Sequence, residues 1–166
     1  TQTLLSIFGS RFVLPASGVL MNNGIMWFDT EPGKPNSLGP GKRCLTNYCP
    51  VIAEHGAQRF GLGASGGRRI LPAVAQLLSF VIDFGQDLDA AFHLPRIDAS
   101  EGELVIGDEL LSADVHTALA ERFPYVRMRR QTLPFKFACP SAVLRSASSN
   151  WGATEIASPW ADAVAG

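Results

Sequence analysis

The chain has 166 residues, enough for one domain with a proper core, and its 14 Lys/Arg against 15 Asp/Glu give a formal charge of −1. Charged residues are 17% and hydrophobic residues 46%, with 16 Gly and 11 Pro, so the chain is expected to bury more surface than usual, some of it against a partner subunit. That balance leaves no basic footprint for nucleic acid, and no run approaches the roughly 20 apolar residues of a membrane span.

The opening "TQTLLSIFGSRFVLP" begins with β-prone alternation, Thr1 and Thr3 on one face and Gln2 and Leu4 on the other. "GVLMNNGIMWF" reads as an apolar strand interrupted by the turn signal Asn22-Asn23-Gly24. Residues 29–43 form a Pro/Gly-rich loop without periodicity, long enough to suggest a binding role. Two short strands are expected at 50–54 and 58–63, joined through His55-Gly56. A helix follows over 69–84, with Pro72 in its first turn and Leu71, Val74, Leu77, Leu78 and Val81 at helical spacing. A second helix fits 87–92, closed by Pro95, and "ELVIGDEL" is strand-like. Residues 112–123 form an amphipathic helix with Ser112 as N-cap. Residues 125–130 and 139–146 read as strands, and Trp151 and Trp160 as core or subunit-interface anchors. Strands, then helices, then strands predict an α+β fold with helices packed on sheet faces.

Three cysteines, Cys44, Cys49 and Cys139, are too few for a disulfide framework, and Cys44-x4-Cys49 lacks a second ligand pair for zinc. No metal and no cofactor are expected, and no signal peptide opens the chain. Arg68-Arg69 and residues 127–130 are read as solvated or ion-paired rather than as a nucleic-acid site. His55, His93 and His116 have no Ser or Cys partner at motif spacing, and the nucleophile elbow G-x-S-x-G is absent.

The chemistry concentrates in "GLGASGGRRILP". Gly61, Gly63 and Gly66 fit the dinucleotide spacing G-x-G-x-x-G, but "EHGAQRFGLG" before them is too polar for the buried strand that motif needs. The phosphate-loop pattern fails as well, because Gly67-Arg68 stands where Lys and a hydroxyl are required. A third reading places Gly66-Gly67 ahead of a helix, where free N–H groups and the positive dipole end suit an oxyanion. A tight turn without chemistry is the competing account of the same pair.

Four segments in order, "SGVLMNNGIMWFD" (17–29), "GPGKRCLTNYCP" (39–50), "GASGGRRI" (63–70) and "LPRID" (94–98), resemble the small subunit of the γ-glutamyltransferase family. The resemblance covers nearly the whole chain and makes residues 1–166 a small-subunit domain lacking its first strand. It implies a four-layer αββα sandwich completed by a large subunit from the same precursor. It also implies an N-terminal-nucleophile mechanism, in which a threonine released by self-cleavage attacks a small-molecule amide and water or an amine takes the acyl group.

Carried over by position, Gly66 and Gly67 match the oxyanion-hole glycines, and Thr3 matches the threonine that hydrogen-bonds the nucleophile and its amine. Thr46 and Asn47 stand where the family has two serines that bind the donor α-carboxylate. Asn23 falls in the Asn-Asn motif of the donor site. Leu5 replaces an asparagine of the opening strand. Gly24 replaces a Gln, and Trp27 replaces the Asp that grips the donor α-amino group. Asp29 lies two positions beyond Trp27 and on a strand would share its face, allowing partial rescue. Trp27 is otherwise a core residue. The loop after Asp29 is shorter than in many members, which favours an open site. Thr1-x-Thr3 matches the family's second strand, placing the nucleophile upstream of this chain; the alternative is Thr1 itself, activated by its own amine. The expected activity is hydrolysis or acyl transfer on a carboxylate-bearing amide. The alternatives are an ordinary γ-glutamyltransferase using Asp29 and a catalytically inactive binding subunit.

Overall fold

The computed structural model describes residues 5–6, 9–131 and 136–164, in two compact units, Thr1–Thr46 and Asn47–Gly166. In the first unit, residues 10–21 fold back on themselves. Met21 N donates to Phe12 O and Leu14 N to Val19 O, each at 2.9 Å, with Gly18 at φ +68° in the turn. The strand expected through residues 18–28 gives way to a 3-10 helix at Gly24–Trp27. Asn22 Oδ1 accepts the Gly24 N–H at 2.8 Å, and this local bond diverts the backbone from ladder pairing. The alternation expected at residues 1–4 lies outside the described residues.

The loop expected at 29–43 is tied by side chains rather than by periodic structure. Asn36 Nδ2 donates to Trp27 O at 2.6 Å, and its Oδ1 accepts Leu45 N–H at 2.9 Å. The buried Ser37 hydroxyl donates to Glu31 O at 2.5 Å and accepts Lys34 N–H at 2.8 Å.

In the second unit, strands β1 (Val51–His55) and β2 (Gln58–Ser65) form the expected hairpin, turning at Gly56 with φ +58°. They join β6 (Cys139–Arg145) and β7 (Asn150–Thr154) in a four-stranded antiparallel sheet of order β1-β2-β6-β7. Alternation along β2 and β6 sends Phe60, Leu62, Ala142 and Leu144 to one face. There they pack with Ile70, Val74 and Leu77 of α1 (Ile70–Ile82) and with Leu88, Ala91 and Phe92 of α2 (Leu88–His93). Burying each large apolar side chain contributes about 1.5–3 kcal/mol, so the α1 stripe that fixes this helix on the sheet is the main source of local stability. Asp87 caps α2 by accepting Ala90 N–H at 2.7 Å.

A second sheet has the order β3-β4-β5, built from β3 (Ile97–Glu101), β4 (Leu104–Asp108) and β5 (Tyr125–Met128). β3 and β4 are antiparallel. β4 and β5 are parallel, so the chain crosses over through α3 (Ala113–Arg122), which Ser112 caps as expected. The His116 side chain is buried against β5, its Nδ1 2.5 Å from the Tyr125 hydroxyl.

Four charged residues are buried together in the second unit. Arg96 is ion-paired with Glu155, and Arg130 Nε lies 2.7 Å from Asp108 Oδ2. Arg130 also donates to Phe92 O and His93 O at 3.0 Å, satisfying carbonyls at the end of α2. Burial pulls the Arg96 guanidinium below its ordinary pKa, while Glu155 acts in the opposite direction. Of the basic run at 127–130, Arg130 is therefore a core ion pair, and Arg129 reaches Glu109 at 3.5 Å. Trp151 and Trp160 are not core: they are 58% and 78% exposed. β3 and β7 were not expected from the sequence. No helix among the described residues is long and apolar enough to cross a membrane.

Candidate active site

β2 runs into α1 through Gly66 and a 3-10 turn at Gly67–Arg69. Gly66 has φ +149° and Gly67 φ +62°, values that side-chain-bearing residues rarely adopt. A Cβ at Gly67 would meet no atom within 4 Å, so glycine is needed there for backbone conformation and not for room. Neither glycine N–H has an acceptor among the described residues. The N-cap of α1, Arg69, supplies no side-chain cap, so this helix start is left uncapped by side chains. The turn can therefore present bare N–H donors to developing negative charge. Gly61 and Gly63 sit inside β2, Gly61 paired with Ile52 and Val143 on its two sides and Gly63 with Ser141, which is no setting for a dinucleotide fingerprint.

Of the other candidates, Asn23, Trp27, Asp29 and Thr46 belong to the first unit and Asn47 to the second. Asn23 N-caps the 3-10 helix through its carbonyl, which accepts Met26 N–H at 3.1 Å, while its Nδ2 donates to Ser6 Oγ at 3.2 Å. Trp27 is the last residue of that helix and is half-buried; its indole N–H is shielded from solvent and has no acceptor among the described residues. Asp29 is half-buried, bridged through its backbone to Ser37, and its carboxylate forms no ion pair among the described residues. The shared strand face expected for Trp27 and Asp29 is not formed, because Trp27 is helical. Thr46 is exposed. Asn47 is half-buried, and its solvent-shielded Oδ1 has no partner among the described residues. Thr1 and Thr3 lie outside the described residues.

Buried polar atoms are ordinarily hydrogen-bonded, and leaving one unpaired costs about 1–3 kcal/mol. Two such orphans, a donor on Trp27 and an acceptor on Asn47, fall on residues singled out for substrate binding. Among the described residues no group of three or more His, Cys, Asp and Glu is placed to hold a metal ion.

A family model described as gamma-glutamyltranspeptidase matches residues 1–163. The chain belongs to this family. An acylase ACY 1 proenzyme from Pseudomonas sp. (strain SE83) is 33% identical over 131 residues, covering 78% of this chain and 24% of the relative. A glutathione hydrolase proenzyme from Bacillus subtilis (strain 168) is 35% identical over 98 residues, covering 58% of this chain and 17% of the relative. The chain thus spans about a quarter or less of the curated relatives it matches. Among solved structures, the Helicobacter pylori gamma-glutamyltranspeptidase T380A mutant superposes with a TM-score of 0.77 at 24% identity, over 95% of this chain and 91% of that chain. The mixed helix-and-sheet fold is therefore that of gamma-glutamyltranspeptidase structures.

Within this gamma-glutamyltranspeptidase-family fold, three residues with longer-range contacts, Asn36 in the first unit and Arg69 and Gln76 in the second, escape a reading by motif. Asn36 pins Trp27 O from nine residues away, and its signal is only the Asn-Ser pair of a turn-forming loop. Arg69, beside the glycine turn, is ion-paired with Glu101, and Gln76 bonds the backbone of Ile97 in both directions. Sequence separations of 32 and 21 leave those contacts without a local signature.

Proposed function

We propose that this chain is the small-subunit portion of an N-terminal-nucleophile amidohydrolase or acyltransferase, assembled with a large subunit from the same precursor. The observation that carries the reading is the Gly66–Gly67 turn, with two positive-φ glycines and unpaired N–H donors at a helix start. In the proposed reaction a threonine hydroxyl attacks the amide carbonyl, and its proton passes to the threonine's own α-amine. The tetrahedral oxyanion forms against the glycine N–H groups. Collapse expels the amine, which takes that proton, and leaves an acyl-threonine ester. Water or an acceptor amine then attacks the ester, returns a proton to the threonine oxygen and releases the acyl product. Thr3 is assigned the hydrogen bond to the nucleophile and its free amine on its match to the family's second threonine.

Trp27 favours a carboxylate-bearing amide over a γ-glutamyl donor. An indole N–H without an acceptor suits a carboxylate or carbonyl oxygen, whereas an ammonium needs an acceptor that Trp27 lacks. Asn47 and Thr46 retain donors for a carboxylate. A second reading rests on Asp29, whose carboxylate forms no ion pair among the described residues, suits an ammonium and would preserve glutathione-type specificity.

The sheet face turned away from α1 supports the four-layer αββα arrangement. There Ile52 and Val143 are 88% and 64% exposed and lie in one cross-strand row with Gly61 and Gly152. A flat row of small and apolar residues is what a second sheet, supplied by the large subunit, packs against.

The test uses the full-length precursor after self-cleavage, assayed with γ-glutamyl anilide and with glutaryl anilide. Gly67→Ala should lower kcat about 10²–10³-fold with little change in KM. Trp27→Asp should shift preference toward the γ-glutamyl donor. An unchanged kcat in the first variant would remove the oxyanion assignment, and vigorous γ-glutamyl transfer by the parent enzyme would favour the Asp29 reading.

A further inference from the structure

The glycine turn owes its exposed N–H groups to the lack of a side-chain cap, so something else must hold its backbone. Two local bonds contribute: Arg69 N donates to Gly66 O at 3.2 Å, and Ile70 N to Gly67 O. Neither fixes the turn relative to the rest of the fold.

The Arg69 side chain does so. It is largely buried and ion-paired with Glu101 at the last position of β3. Further along the same helix, Gln76 Nε2 donates to Ile97 O at 2.7 Å and Gln76 Oε1 accepts Ile97 N–H at 2.8 Å. Arg69 and Gln76 are seven residues apart, so they lie on one face of the helical segment, separated by about 10.5 Å of rise. Ile97 and Glu101 are four residues apart on the strand, about 13 Å if fully extended. The register shift between Asp98 and Glu101 shortens that span. Asp98 Oδ1 stabilises the irregularity by accepting Ser100 N–H at 3.2 Å and the Ser100 hydroxyl at 2.7 Å. The strand therefore grips the helix at two matched points, one of them beside the glycine pair.

We infer that Glu101 is a positioning residue for the reaction: through Arg69 it sets the direction in which the Gly66–Gly67 N–H groups point. The inference rests on reading that pair as the oxyanion site. Positioning of this kind has large kinetic leverage, because displacing a catalytic group by about 1 Å can cost 10²-fold.

The experiment compares Glu101→Gln, Glu101→Asp and Gly67→Ala in the self-cleaved full-length enzyme, measuring kcat, KM and thermal midpoint. Glu101→Gln should lower kcat roughly ten- to hundredfold with KM within about twofold and the midpoint within a few degrees. Glu101→Asp, which keeps the charge, should recover most of the loss. If Glu101→Gln leaves kcat intact while Gly67→Ala lowers it, the positioning role is refuted and the oxyanion site stands. If Gly67→Ala also leaves kcat intact, the oxyanion reading falls and this inference with it. A kcat loss in Glu101→Gln that merely follows a lower folded fraction makes the ion pair structural only, and overturns the proposal.

Discussion

Gly107 is where β4 passes beneath the Tyr125 ring, and replacing it with alanine tests the packing of the second sheet. An added Cβ would overlap the Tyr125 hydroxyl and stand 2.8 Å from Cζ and 2.9 Å from Cε2. The ring has little freedom to yield, because its hydroxyl is held by His116 Nδ1 at 2.5 Å. Overpacking of this kind costs about 1–3 kcal/mol. Displacing the ring would also break the bond to His116, worth about 0.5–1.5 kcal/mol. Reduced freedom of the unfolded chain returns about 0.4–1 kcal/mol. The net expectation for Gly107→Ala is a loss centred near 2 kcal/mol, read from urea unfolding of the full-length protein at constant m. Tyr125→Ala removes the obstacle, so the double variant should lose less than the sum of the singles by about 1 kcal/mol or more. A Gly107→Ala protein within about 0.5 kcal/mol of the parent would show that Tyr125 does not cover this glycine.

Burial raises the Tyr125 pKa, with Arg127 opposing and Asp108 adding to the rise. The neutral phenol is therefore favoured in the folded state; its contribution is complete below the unfolded value near about 10 and is lost as pH rises through the folded pKa. Unfolding followed between pH 9 and 12 should show stability falling, and Tyr125→Phe should flatten that slope; an equal slope in both would assign it elsewhere. Glu155→Ala leaves the buried Arg96 without its partner and should cost about 3–5 kcal/mol, whereas Glu54→Ala, which breaks an exposed pair with Arg59, should cost under about 1 kcal/mol. Equal midpoints for the two variants would contradict the buried network. Val143→Asp places a charge on the exposed sheet face and should weaken subunit assembly in size-exclusion chromatography without unfolding the chain. An unaltered elution profile would free that face of the proposed role.

Elements with a local cause were legible in the sequence. The β1–β2 hairpin, α1 with its 3.6-residue apolar spacing, and α2 and α3 with Asp87 and Ser112 as caps follow from periodicity and short-range hydrogen bonding. The glycine pair was legible for the same reason, since two consecutive glycines ahead of a helix mark a backbone that side chains would obstruct. The 3-10 helix at Gly24–Trp27 was misread because apolar content outweighed the one Asn22 bond that bends the chain. β3 and β7 carry too little alternation to stand out, and they become strands only beside β4 and β6.

Family membership was therefore written in short motifs, where the backbone itself dictates residue type. What only the tertiary structure decided is how those motifs are held. The sequence marks Arg69, Gln76, Glu101, Asp108, Arg130 and Glu155 simply as polar residues. Folding pairs Arg69 with Glu101, sets Gln76 on Ile97 and buries Asp108, Arg130 and Glu155 together, because a charge or amide removed from water must find its partner, however distant in the chain.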